Sequence, residues 1–115
     1  MKDDRVFIHH ILESIELINE YVKDVNMKEF LLSTQTQDSV IRRLEIIGEA
    51  TKKISMSFRE RYPDIPWKLM AGMRDILIHE YFGVDSVLVW NTIKNDLPML
   101  EETLKDIKQG GRKND

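Results

Sequence analysis

One short stretch of this chain concentrates its reactive side chains: Arg74, Asp75, His79 and Tyr81 fall within eight consecutive positions. A guanidinium binds phosphate oxygens bidentately and stabilises developing negative charge. An imidazole moves protons near neutral pH, and a phenol adds a polar aromatic tip. Together they suit the handling of a phosphate group. An RNA phosphodiester is a chemically simple case, because its own 2′-hydroxyl is a nucleophile once its proton is removed, and no metal is required.

Helical spacing limits how these groups can meet. Asp75 and His79 are four apart, so they share a face and can touch. A carboxylate there would orient the ring and favour its protonated form. Arg74 lies five positions before His79, about 140° round a helix at ~100° per residue. The two do not stack within one helix, and only long side chains or a second copy of the helix could bring them to one ligand. A plainer account also fits: Arg74 and Asp75 as a structural ion pair, His79 as a satisfied core histidine, Tyr81 as a packed aromatic. The spacing by itself favours that plainer account.

Other chemistry finds less support. His9 and His10 sit together on an early helix and read as structural or solvent-facing. His79-Glu80 lacks the second histidine of an H-E-x-x-H zinc site, so no metal site and no cofactor are expected. Gly110-Gly111 follows no strand and forms no phosphate loop, and there is no G-x-S-x-G nucleophile elbow. The chain has no cysteine, which removes disulfides and thiolate metal sites and suits a reducing cytosol. No signal peptide or bilayer-spanning run is expected, so the reading is a cytoplasmic protein without a membrane role. The formal net charge of -3 argues against coating nucleic acid through a bulk basic field, and no DNA partner is expected.

The elements that must position the reactive stretch are helices. A length of 115 residues fits one domain, taken as residues 1–108, with 109–115 as a flexible polar tail. The first predicted helix runs from about Asp4 to Val25, with Phe7, Ile11, Ile15, Ile18, Val22 and Val25 on one face. Met27 to Leu32 could add a short helical turn. The second main helix spans roughly Gln37 to Ser55 on Val40, Leu44, Ile47, Thr51 and Ile54, and Ser57–Tyr62 could add one more turn. Its Arg42, Arg43, Lys52 and Lys53 read as a solvated face, with a widened RNA-binding surface as the alternative. The third, Trp67 to about Phe82, carries the reactive stretch; Pro66 fits its N1 position and Gly83 its stop. The fourth runs from Ser86 to about Lys108 with Trp90, Ile93, Leu97, Leu100, Leu104 and Ile107 as a packing seam, and Pro98 should kink it or locally free the Lys94 carbonyl. The fold class is therefore all-α, an antiparallel bundle of about four main helices. The third helix is apolar nearly all round, more than one small core can cover, so a dimer interface is expected.

With these elements in place the sequence resembles a known family. Arg74-x4-His79-x-Tyr81 matches the R-x4-H-x-Y motif of HepT-like proteins, a bacterial and archaeal branch of the HEPN superfamily. The run Ile41 to Ala50 looks like that family's second-helix signature, Arg61 to Trp67 like its lead-in to the motif helix, and His79 to Asp85 and Asp96-Leu97-Pro98 fit as well. The combined run is specific where R-x4-H alone is not, and it covers nearly the whole chain except the tail.

The resemblance implies a homodimeric bundle acting as a metal-independent endoribonuclease toxin. It implies that Arg74 and His79 are the catalytic pair, drawn from both subunits into a shared cleft, with Asp75 supporting His79. The implied partners are RNA, a second copy of the chain, and a minimal nucleotidyltransferase antitoxin of the MntA type that transfers AMP from ATP to Tyr81. One position departs from the pattern: the residue after the motif arginine is often Asn, and here Asp75 adds a negative charge beside a phosphate site. Two other readings stand beside this one: a non-catalytic helical subunit of a nucleotidyltransferase complex, and a purely structural dimerisation domain. Arg43 and Glu49 match signature positions, so a role in supporting the cleft is open to them.

Overall fold

Period-3.6 apolar stripes and polar helix caps account for the architecture. The computed structural model describes residues 3–79 and 85–109, with side chains for all of these except 75–79. In chain order the helices are α1 (Asp4–Tyr21), α2 (Met27–Leu32), α3 (Thr34–Lys52), α4 (Met56–Arg61), α5 (Trp67–His79) and α6 (Ser86–Asn91), then a π-helical turn (Thr92–Asp96) and α7 (Leu97–Lys108). No strand occurs among the described residues. The expected end of the motif helix near Phe82, its stop at Gly83, and the tail from Gly110 onward lie outside the described residues.

The long helices run antiparallel, as cross-helix hydrogen bonds show. Asp4 at the start of α1 accepts from the backbone N–H and the hydroxyl of Ser55 beyond the end of α3, at 2.8 and 2.7 Å. Arg43 reaches Ser14 further along the same pair. Between α1 and α7, Asn19 meets Glu101 and His9 meets Lys108, again in opposite senses. One continuous core fills the space between, built from the stripes read above: Ile11, Ile15 and Ile18 of α1, Val40, Leu44 and Ile47 of α3, and Leu97, Leu100 and Leu104 of α7 are all nearly inaccessible.

Several boundaries move from their expected places, each for a local reason. The first helix stops at Tyr21, not Val25, because Asp24 takes a left-handed backbone, φ 59°. The short turn at Met27 is a true helix, closed by an Asn26–Glu29 capping box. The next helix starts at Thr34, ahead of Gln37, because Ser33 caps it by accepting from the Thr36 N–H. It ends at Lys52, and Ser55 caps the separate α4 instead. Arg59 of α4 donates through Nη2 at 2.7 Å to the Thr51 carbonyl, which also accepts the Ile54 N–H, so α4 is tied to the end of α3. Pro66 sits just before the first residue of α5 and not at N1; its carbonyl accepts from Met70.

The fourth predicted helix is divided. Pro98 has no N–H, so the Lys94 carbonyl loses its ordinary helical donor. The chain responds one turn earlier by widening: the Leu97 N–H reaches back five residues to Thr92 O. The seam survives, since Trp90, Ile93, Leu97, Leu100, Leu104 and Ile107 are all buried.

Short α2 is tied to α6 by packing. Phe30, fully buried, stacks on Trp90 with ring centroids 5.2 Å apart. Gln37 adds a polar link, donating to the Phe30 and Leu31 carbonyls while accepting from Ser86. Phe30→Ala is expected to lower unfolding stability by about 3–5 kcal/mol, read from the midpoint of a urea titration. An unchanged midpoint would show that the Phe30–Trp90 stack holds nothing together.

Candidate active-site groove

The site begins with a glycine. Gly48 lies inside α3, one turn before its end, where glycine weakens a helix. Its use is in the crossing with α5: a Cβ built there would lie 2.6 Å from both the Cβ and the backbone N of Arg74. No side chain fits in that gap, so the two helices touch backbone to backbone at Arg74. Glu49, next along α3, then meets the arginine directly, with Oε2 2.8 Å from Arg74 Nε. Both side chains remain partly exposed, so the pair is worth little as a stabiliser. Its effect is orientation, because a charge-assisted bond at that distance restrains the guanidinium.

Around this pair lies an open groove of about 450 Å³ between the first half of α1, the outer face of α3, and Arg74. Phe7, Ile46 and Ala50 give it an apolar floor. Arg42, Lys53 and His10 line its sides with Arg74, interleaved with Glu45 and Glu49. Arg74 therefore does not project from a bare surface; it stands within a mixed-charge trough.

The remaining motif residues divide by what the structure describes. The backbone of α5 is helical through position 79, so Arg74 and His79 are set about 140° apart round one continuous helix. The side chains of Asp75 and His79, and all of Tyr81, lie outside the described residues, so the Asp75–His79 pairing expected from spacing does too. Among the described residues no three His, Asp or Glu side chains gather to hold a metal ion. His9 and His10 are both exposed; His9 Nδ1 lies 3.0 Å from Lys108 Nζ.

A second surface flanks the motif helix. Leu69 of α5 and Val87 and Leu88 of α6 are exposed apolar side chains. Leu69 and Leu88 line an apolar hollow with Leu44 and Met73. Of the apolar residues that the sequence places round the motif helix, Leu69 is exposed and Met70 and Met73 are buried, while the side chains of Ile76, Leu77 and Ile78 lie outside the described residues.

Residue order alone does not assign Gly48 a role. A glycine inside a strongly helical apolar pattern is the available signal, since such a residue often marks a close approach. The groove is visible in the sequence only as separate charges: Arg42, Glu45, Glu49 and Lys53 recur at helical spacing, but the part played by α1 depends on tertiary packing.

A family model described as Ribonuclease HepT-like matches residues 11–107. A protein of Methanocaldococcus jannaschii named "Gamma-glutamylcyclotransferase and putative RNase" is 54% identical over 113 residues, covering 98% of this chain but 51% of its own length, so the chain spans about half of that relative. A "Probable ribonuclease HepT" of Thermococcus cleftensis is 46% identical over 103 residues, 90% of this chain and 94% of its own. A "Putative RNase" of Caldanaerobacter subterraneus is 44% identical over 109 residues, 95% and 97% of the two chains. No solved structure matches significantly.

Gly48→Ala is expected to force α3 and α5 apart and to destabilise the fold by about 1–3 kcal/mol, measured by urea unfolding. Stability equal to that of the parent would mean that the close crossing at Arg74 is not a constraint.

Proposed function

This chain belongs to the HepT-like ribonuclease family, and from that premise we propose that it cuts RNA without a metal, at a cleft shared by two copies of the chain. The observation that carries this reading is the seating of Arg74: held by Glu49 at the crossing of two helices, it faces an open groove from within the R-x4-H-x-Y stretch.

In this mechanism Arg74 binds the scissile phosphate and the charge that grows on it. His79 serves as base and acid in turn. The 2′-hydroxyl gives its proton to the base, its oxygen bonds to phosphorus, and the 5′-oxygen leaves with a proton from the acid. The products are a 2′,3′-cyclic phosphate and a 5′-hydroxyl. Asp75 orients His79. A two-fold axis next to α5 solves the angular problem, because Arg74 of one copy then faces His79 of the other. The exposed Leu69, Val87 and Leu88 supply an apolar surface suited to that pairing.

Regulation falls to Tyr81. A minimal nucleotidyltransferase antitoxin would transfer AMP from ATP to its hydroxyl, releasing pyrophosphate. The added phosphate and nucleotide would fill the cleft and repel an RNA backbone. The pair would form a toxin–antitoxin system, and its RNA substrate places its action in the cytoplasm. Among the described residues no helix is long and apolar enough to cross a membrane.

One observation favours a second reading. Arg74 is already paired with a carboxylate, as suits a structural arginine in a non-catalytic subunit of a nucleotidyltransferase complex. Purified protein incubated with RNA and EDTA separates the two. The ribonuclease reading expects cleavage that falls at least about 100-fold in Arg74→Ala and in His79→Ala. Equal cleavage by parent and variants removes those roles, and no cleavage by the parent favours the binding subunit. After coexpression with an adjacent nucleotidyltransferase, Tyr81 is expected to carry one AMP by mass spectrometry and Tyr81→Phe none; an unmodified Tyr81 would count against the switch.

A further inference from the structure

The groove extends well past Arg74, and its far walls have no part in the cleavage chemistry above. Arg42 of α3 and Lys53, its C-cap, both line the groove and stand eleven residues apart, about 16 Å at 1.5 Å per residue. Arg74 meets α3 between them, at Gly48 and Glu49. Three cations thus line one trough in a chain whose formal net charge is -3. Two are offset by carboxylates: Arg74 by Glu49 at 2.8 Å, and Arg42 loosely by Glu45 at 3.8 Å. Lys53, which is exposed, has no carboxylate partner among the described residues. His10 faces the same space from α1.

An alternation of cation and carboxylate over an apolar floor does not suit a duplex, which presents an unbroken wall of phosphate. It suits a single strand, whose phosphates and bases alternate. The ~3.4 Å rise of a stacked duplex strand sets an upper bound, so about 16 Å holds at most about five nucleotides and fewer of an extended single strand. Phe7, Ile46 and Ala50 offer a surface for a base. Glu45 and Glu49 accept from base N–H groups, and Arg42 and Lys53 take the flanking phosphates.

We propose that this groove is an extended subsite for single-stranded RNA, binding the nucleotides on either side of the scissile phosphate through Arg42 and Lys53. The proposal rests on the ribonuclease reading for the identity of its ligand but not on catalysis, so it is tested by binding alone. The probe is a fluorescent 2′-O-methyl oligoribonucleotide, which lacks the nucleophile and is not cut, titrated by anisotropy at several salt concentrations. The double variant Arg42→Ala, Lys53→Ala is expected to raise Kd at least tenfold at low salt. It should also flatten the plot of log affinity against log salt by about 1.4, or ~0.7 for each phosphate no longer neutralised. Lys28→Ala, which removes one charge from an exposed site outside the groove, should change neither by more than twofold. A double variant that binds like the parent overturns the subsite, and so does a parent that does not bind the probe. Cleavage by the parent that depends on Arg74 would leave the ribonuclease reading intact in either case. Tight, groove-dependent binding by a protein that cuts nothing would keep the subsite and remove the catalysis.

Discussion

The interaction on which the site depends is the backbone-to-backbone crossing of α3 and α5 at Gly48 and Arg74. A single missing Cβ lets the two helices approach more closely than side chains allow. Everything functional is referred to that point. It seats the motif arginine at the level of Glu49, and it aligns the charged face of α3 with the start of the reactive stretch on α5. Leu69, one turn earlier on the same helix, stays exposed. The core behind the crossing is ordinary helix packing, and its role is to make the crossing rigid.

The proposed dimer answers a tension between chemistry and geometry. Phosphoryl chemistry asks for a guanidinium and an imidazole at one phosphorus. One straight helix separates positions 74 and 79 by about 140°. Within one chain α5 stays helical through position 79, which keeps that separation. A second copy of the helix, as in the proposed dimer, would solve it without distorting either. Exposed apolar side chains on α5 and α6 are therefore part of the proposed site as much as Arg74 is, because without pairing the two groups face different ways.

Much of the fold is legible in residue order, for a physical reason. Helix-period stripes report which face is buried, and the stripes on α1, α3 and α7 are the observed core. The features that differ from expectation are those set by single residues acting locally. Ser33 and Ser55 start helices where the apolar pattern is silent, Asp24 stops one early, and the helix widens into a π-turn just before Pro98. The site is legible in the same partial way. Arg74 stands out because a guanidinium on an apolar helix needs explaining. Gly48 does not, because the reason for a glycine lies in what crosses it. His10 looks unremarkable because nothing in the sequence sets α1 beside Lys53.

The central claim is that one site takes Arg74 from one copy of the chain and His79 from the other, and mixing two inactive variants tests it. Arg74→Ala and His79→Ala proteins are unfolded, combined in equal amounts, refolded together and assayed on RNA in EDTA. If the cleft is shared, random reassortment makes half the dimers mixed and each mixed dimer keeps one of its two sites, so activity should return to about a quarter of the parent's. A mixture as inactive as its two components, beside an active parent treated in the same way, would contradict the shared site.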